Sequence, residues 1–86
     1  MIEAYILIQT RAGTALDVAA AVSAVPGVQR ARAVTGPYDV IAQAEGETVD
    51  DLGRLVFARI QKVEGILRTL TCPVVQLSSQ RLMDQA

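Results

Sequence analysis

A repeat inside this 86-residue chain limits its possible folds more than any other feature. Val25-Pro26-Gly27-Val28-Gln29-Arg30 recurs 38 positions later as Val63-Glu64-Gly65-Ile66-Leu67-Arg68. In each copy a glycine closes a helical pattern and a β-branched run follows, which is how a helix hands over to a strand. Self-similarity of this kind marks two copies of one supersecondary unit.

Each unit reads as strand, helix, strand. From Met1 to Gln9 nearly every residue is apolar, with Ala4, Ile6 and Ile8 on one side of an extended chain and Tyr5 and Leu7 on the other, so the strand is expected to be covered on both faces. Gly13 breaks the run, and Thr14 with Asp17 three residues on resembles a helix N-cap. A helix is expected over residues 14–24, with Leu16, Ala19, Ala20, Val22 and Ala24 as its apolar stripe. Pro26-Gly27 ends it, and residues 28–35 read as a second strand. Gly36-Pro37-Tyr38-Asp39 forms a turn before a third strand over residues 39–45. Thr48 with Asp51 repeats the capping arrangement, and Val49, Leu52, Val56, Ile60 and Val63 recur at helical steps. A last strand is expected over residues 66–77, with Pro73 marking an edge or a bulge.

The order βαββαβ defines a ferredoxin-like α+β fold, a four-stranded antiparallel sheet with two helices on one face. Tyr5, Leu7, Ile41 and Leu67 would then point to the opposite face, which needs a cover. The same face of a second copy, related by a two-fold axis, is the least demanding cover, giving a dimeric, barrel-like sheet-to-sheet assembly. Composition agrees, since 51% hydrophobic residues exceed what so small a solitary domain needs.

Charge and residue inventory exclude several roles. A net charge of -1 leaves no basic footprint for a phosphate backbone, so no direct nucleic-acid contact is expected. No run is long enough to span a bilayer and no basic leader precedes the first strand, so a cytoplasmic protein without a membrane partner is expected. The single Cys72, with no His in the chain, offers neither a disulfide nor the usual zinc site. No cofactor or metal is expected. The acidic group Glu45, Glu47, Asp50 and Asp51 lacks the ligand spacing of a calcium loop and reads as helix capping and solubility.

The segment Val34-Thr35-Gly36-Pro37-Tyr38-Asp39-Val40 resembles the turn of the effector-binding modules of Lrp/AsnC regulators, in which a Gly, a variable residue, an aromatic and an Asp follow a strand. Pro26-Gly27-Val28, the helix from Thr48, Gly65-Ile66, and Thr69-x-Thr71 fall where that family has similar residues. The resemblance covers residues 1–77, the expected domain, and leaves a polar tail at 78–86. It implies a module that binds an amino acid or related small metabolite, does no chemistry itself, and forms homodimers that assemble into higher oligomers. It also implies that a DNA-reading half, present in full-length relatives, is not part of this chain.

In that family the effector sits between dimers near the turn after strand two. Gly36, Pro37, Tyr38 and Asp39 suit the role. Free backbone N–H groups can hold a carboxylate, and Asp39, an acceptor only, can hold an ammonium. The alternative is a hairpin in which Asp39 merely caps the turn and Tyr38 packs between subunits. The resemblance places Val49 and the strand residues Thr71, Cys72, Pro73 and Val74 along the same pocket. Thr71 would hydrogen-bond the ligand, while Val49 and Val74 would supply an apolar wall. Each also reads as ordinary core. Cys72 and Pro73 depart from the β-branched or aromatic residues usual there. Competing functions are a ligand-independent partner that co-assembles with full-length relatives, an ACT-like regulatory domain, and a small dimeric ferredoxin-like enzyme. The absence of His and Trp argues against the enzyme.

Overall fold

Alternation along the first strand sets the architecture. In the computed structural model, which describes residues 1–75, β1 (Ile2–Thr10) buries Ala4, Ile6, Ile8 and Thr10 and turns Tyr5, Leu7 and Gln9 the other way. β1 is followed by α1 (Ala15–Ser23), β2 (Val28–Ala33), β3 (Val40–Gly46), α2 (Val49–Ala58), a 3-10 turn (Ile60–Lys62) and β4 (Ile66–Pro73). The strands form one antiparallel sheet ordered β2-β3-β1-β4. This is the ferredoxin-like βαββαβ arrangement. The expected domain boundary at 77 and the polar tail at 78–86 lie outside the described residues. No helix among the described residues is long and apolar enough to cross a membrane.

The core lies between one sheet face and the helices. Ala4, Ile6 and Ile8 of β1 and Val40, Ala42 and Ala44 of β3 pack under Val18, Ala19 and Val22 of α1 and Leu52 and Val56 of α2, with Ile60 closing the end. Full burial of an Ile or Leu side chain stabilises by about 1.5–3 kcal/mol. The alanines of β3 leave room for the helices to sit close to the sheet.

The first helix buries a different stripe from the one its composition suggests. Val18 is 1% exposed and Leu16 78% exposed. Ala15, Val18, Ala19 and Val22 follow the i, i+3, i+4, i+7 spacing of one helical face, and Leu16, Ala20 and Ala24 fall outside it. Thr14 does not cap this helix with its side chain, because its hydroxyl donates to the Arg11 carbonyl at 2.8 Å. Thr48 does cap α2, its Oγ1 accepting from Asp51 N at 3.0 Å, and Asp50 and Asp51 answer the N-terminal dipole. The helical spacing that runs on to Val63 is broken at Arg59, and Ile60 is buried from the 3-10 turn instead.

The repeat is structural. Gly27 and Gly65 have φ of 100° and 99°, and each sits between a helical end and a strand. They are also pseudo-symmetric in packing. A Cβ on Gly27 would meet Leu55 of α2 at 3.2 Å, and one on Gly65 would meet Val18 of α1 at 3.0 Å. Each half thus needs a bare backbone where the other half's helix crosses it.

β4 is an edge strand, as Pro73 implies, and ends there; Val74 still donates from its backbone N to Glu3 O at 2.8 Å. The register shifts between Gln9 and Thr10, so Leu67 has no cross-strand partner. Arg68, Leu70 and Cys72, facing Gln9, Leu7 and Tyr5, are the β4 residues on the open sheet face.

Candidate functional site

The turn between β2 and β3 is held from one side and open on the other. Asp39 N donates to Ile8 O at 2.9 Å and Val34 N to Asp39 O at 2.8 Å, which closes the hairpin against β1. Thr10 N donates to Asp39 Oδ2 at 2.9 Å, and Gln9 Nε2 to Pro37 O at 3.2 Å. The backbone N–H groups of Thr35, Gly36 and Tyr38 find no backbone acceptor among the described residues. Thr35, Gly36 and Pro37 are exposed, while Tyr38 and Asp39 are half-buried. Gly36 has φ of 148°, a conformation L side chains rarely adopt. Among the described residues the turn therefore offers three undirected donors, and one Asp39 oxygen is engaged. Gln9 and Thr10, which fix this geometry, are not among the residues expected from the sequence. The signal for them is topological, since β1 must end beside the turn that opens β3.

The remaining expected residues lie away from this turn, along β4 and toward the other end of the sheet. β3 runs from Val40 beside the turn to Gly46, and α2 begins at Val49 just beyond it. Pro73 faces Ala4 in register and Val74 bonds Glu3, at the same end. Thr71 registers with the inward-facing Ile6, whereas Cys72 registers with Tyr5 on the open face. Val49 is exposed and Thr71, Cys72 and Val74 are half-buried. Six strand steps between Val40 and Gly46 amount to about 20 Å. The expected residues therefore fall in separate places on one protomer: Gly36, Pro37, Tyr38 and Asp39 at one end of the sheet, Val49, Pro73 and Val74 toward the other, and Thr71 and Cys72 partway along β4 on opposite faces.

A further concavity lies on the open face. Tyr5, Arg30, Arg32, Val34, Ile41 and Gln43 line a cavity of about 290 Å³. The alternation of Arg30 and Arg32 along β2 is the sequence signal for it, since residues two apart on a strand share a face.

A family model described as the Lrp/AsnC ligand binding domain matches residues 3–82. The fold is similar to the crystal structure of TTHA0845 from Thermus thermophilus, with a TM-score of 0.83 and 32% identity over 92% of this chain and 99% of that one. It is similar also to PHS023 from Pyrococcus horikoshii, with a TM-score of 0.80 and 33% identity over 91% of this chain and 94% of that one. The transcriptional regulator NMB0573 from Neisseria meningitidis, solved as its L-Met complex, shares the fold at a TM-score of 0.75 and 24% identity, covering 91% of this chain and 52% of that one. Among curated proteins, the uncharacterised HTH-type transcriptional regulator PH1916 of Pyrococcus horikoshii is 27% identical over 58 residues, 67% of this chain. The chain spans 39% of the length of that regulator.

Proposed function

Because the chain belongs to the Lrp/AsnC ligand binding domain family, we propose that it is an effector-binding and oligomerising module for an α-amino acid or a related small metabolite. The observation that carries this reading is the turn after β2. Its three unpaired N–H groups suit a carboxylate, and the free oxygen of Asp39 suits an ammonium. The L-Met complex of the Neisseria meningitidis regulator supports an amino acid as the ligand class.

The separation of the two groups of residues on one protomer supports a site built between protomers. One copy would bring Gly36, Pro37, Tyr38 and Asp39, and another Val49, Thr71, Cys72, Pro73 and Val74. Sheet-to-sheet dimers would cover Tyr5, Leu7, Ile41 and Leu70 on the open face, and further association of dimers would join the half-sites. Ligand would then favour the assembled state, because only that state holds the complete site.

A second reading is favoured by one observation. Asp39 already serves Thr10 N, so the turn has a structural reason to exist without a ligand. On that reading the module is a ligand-indifferent partner of full-length relatives. Light scattering coupled to size-exclusion chromatography, without and with a panel of α-amino acids, separates the two. A multiple of dimers whose mass distribution shifts with one amino acid is the expected result. A multimer indifferent to every one would establish the co-assembly reading.

A further inference from the structure

Besides Arg68 at the Gln9 end of β4, the open sheet face carries two sets of like charges that the protomer leaves unresolved. Glu3 and Glu45 stand directly opposite each other on β1 and β3, where facing side chains are about 5 Å apart and equal charges repel. Gln43 Nε2 donates to Glu3 Oε1 at 3.2 Å, a neutral contact that leaves both charges in place. On the edge strand β2, Arg30 and Arg32 project from the same face, roughly 7 Å apart. The ion pairs among the described residues are Arg11 with Glu64 and Arg54 with Asp51, so neither Arg30 nor Arg32 has an acidic partner there. Both border the cavity floored by Tyr5 and Ile41.

We infer that this cavity receives the acidic end of the same face of a second copy, with Arg30 and Arg32 of each protomer pairing with Glu45 and Glu3 of the other. The inference rests on the sheet-to-sheet dimer proposed above and adds the contacts that set its register. A right-handed crossover from β1 through α1 to β2 puts β2 at the left of the face when it is viewed from solvent with β1 pointing up. Glu3 and Glu45 then lie along the lower end. Orthogonal packing of two sheets places the two-fold axis diagonally across the face. Rotation about the diagonal from lower left to upper right exchanges the left edge with the lower end. It carries Arg30 over Glu45 and Arg32 over Glu3, and symmetry makes each contact twice.

The physical role of the pairs is specificity. Tyr5, Leu7, Ile41 and Leu70 supply an apolar centre that any apolar surface would cover. Arginines left without acids beneath a cover are costly, so the charges select one partner face and one orientation. A cover whose acids sit elsewhere, including that of a differently patterned relative, is rejected.

Two charge-reversed chains test this. Arg30→Glu/Arg32→Glu and Glu3→Arg/Glu45→Arg each set like charges against one another in a homodimer, and each is expected to weaken dimerisation about 100-fold or more. Mixed in equal amounts they should form a heterodimer by light scattering, because the acids of one chain meet the arginines of the other at both symmetric positions. Arg54→Glu/Arg59→Glu matches the net charge of the first variant but carries it on α2 and the residue that ends it, and mixed with Glu3→Arg/Glu45→Arg it should give no heterodimer. Circular dichroism checks that each chain is folded. The neutral Glu3→Gln/Glu45→Gln chain, which keeps shape, should dimerise about 10-fold more weakly, with less dependence on salt. Reversed chains that each dimerise like the parent, or a control mixture that pairs equally well, would overturn the pairing and leave the sheet-to-sheet dimer standing. A parent chain that is monomeric throughout would remove the dimer itself.

Discussion

Asp39 Oδ2 accepts a hydrogen bond from Thr10 N at 2.9 Å, joining the turn that opens β3 to the last residue of β1. The contact separates the two oxygens of one carboxylate. One holds the hairpin, and the other has no protein partner among the described residues; in the proposed site it takes the ligand's ammonium, with the N–H groups of Thr35, Gly36 and Tyr38 taking the carboxylate. Structure and ligand binding can therefore be tested at the same residue with different substitutions.

Asp39→Asn keeps an oxygen for Thr10 N and removes the charge an ammonium needs. It is expected to hold stability within about 1 kcal/mol and to lower amino-acid affinity about 10-fold or more. Asp39→Ala removes both and should cost about 1–3 kcal/mol of stability as well. Chemical denaturation and calorimetry read the two effects. An Asn variant that binds as tightly as the parent would assign Asp39 to the hairpin alone.

The glycines of the repeat should respond unequally. Gly65→Ala meets Val18 Cγ2 at 3.0 Å and Thr14 Oγ1 at 3.1 Å from a backbone at φ 99°, so strain and steric conflict combine to cost roughly 2–4 kcal/mol. Gly27→Ala meets the methyl ends of Leu55, which can turn away, and should cost about 1–2 kcal/mol. Urea denaturation of the two variants checks the order. Equal losses would mean that the backbone conformation alone matters.

Core truncations should distinguish the face α1 buries from the one its composition suggests. Val18→Ala removes a side chain packed in the core and is expected to cost about 1–3 kcal/mol, whereas Leu16→Ala changes stability by less than about 0.5 kcal/mol in the isolated protomer. Thermal unfolding gives the comparison. A large loss from Leu16→Ala would place that residue beneath another subunit.

These cases show what the sequence makes legible. The two glycine junctions are written in it, because positive φ at a helix end selects glycine whatever packs around it, and strand alternation around Ile6 and Ile8 is strict enough to fix a face. The face of α1 is not written so plainly. Residues 15–24 are apolar nearly all round, so composition does not choose between Leu16 and Val18; tertiary contact with Gly65 and β2 does. Leu67 is exposed but has no cross-strand partner, because a bulge opposite Gln9 and Thr10 shifts the register by one residue. The site is legible only in halves. Local spacing reveals the turn at Gly36, but whether Val49 and Thr71 of another copy complete it, as proposed, depends on an assembly that no stretch of one chain encodes. Arg30 and Arg32 are ordinary surface charges in sequence and gain meaning only once register puts Glu3 beside Glu45.

Leu7 lies at the middle of the open face, in register with Ile41 and Leu70. Leu7→Glu would bury a charge in the dimer and is expected to give monomers or insoluble protein by light scattering. A normal oligomer would show that this face is covered some other way.

The most direct test of the account is calorimetric titration of the parent chain with each of the common α-amino acids, L-Met included. Saturable binding of at least one, lost in Asp39→Asn while the fold is kept, is the predicted result. A correctly assembled protein that takes up none of them would contradict the effector-binding reading.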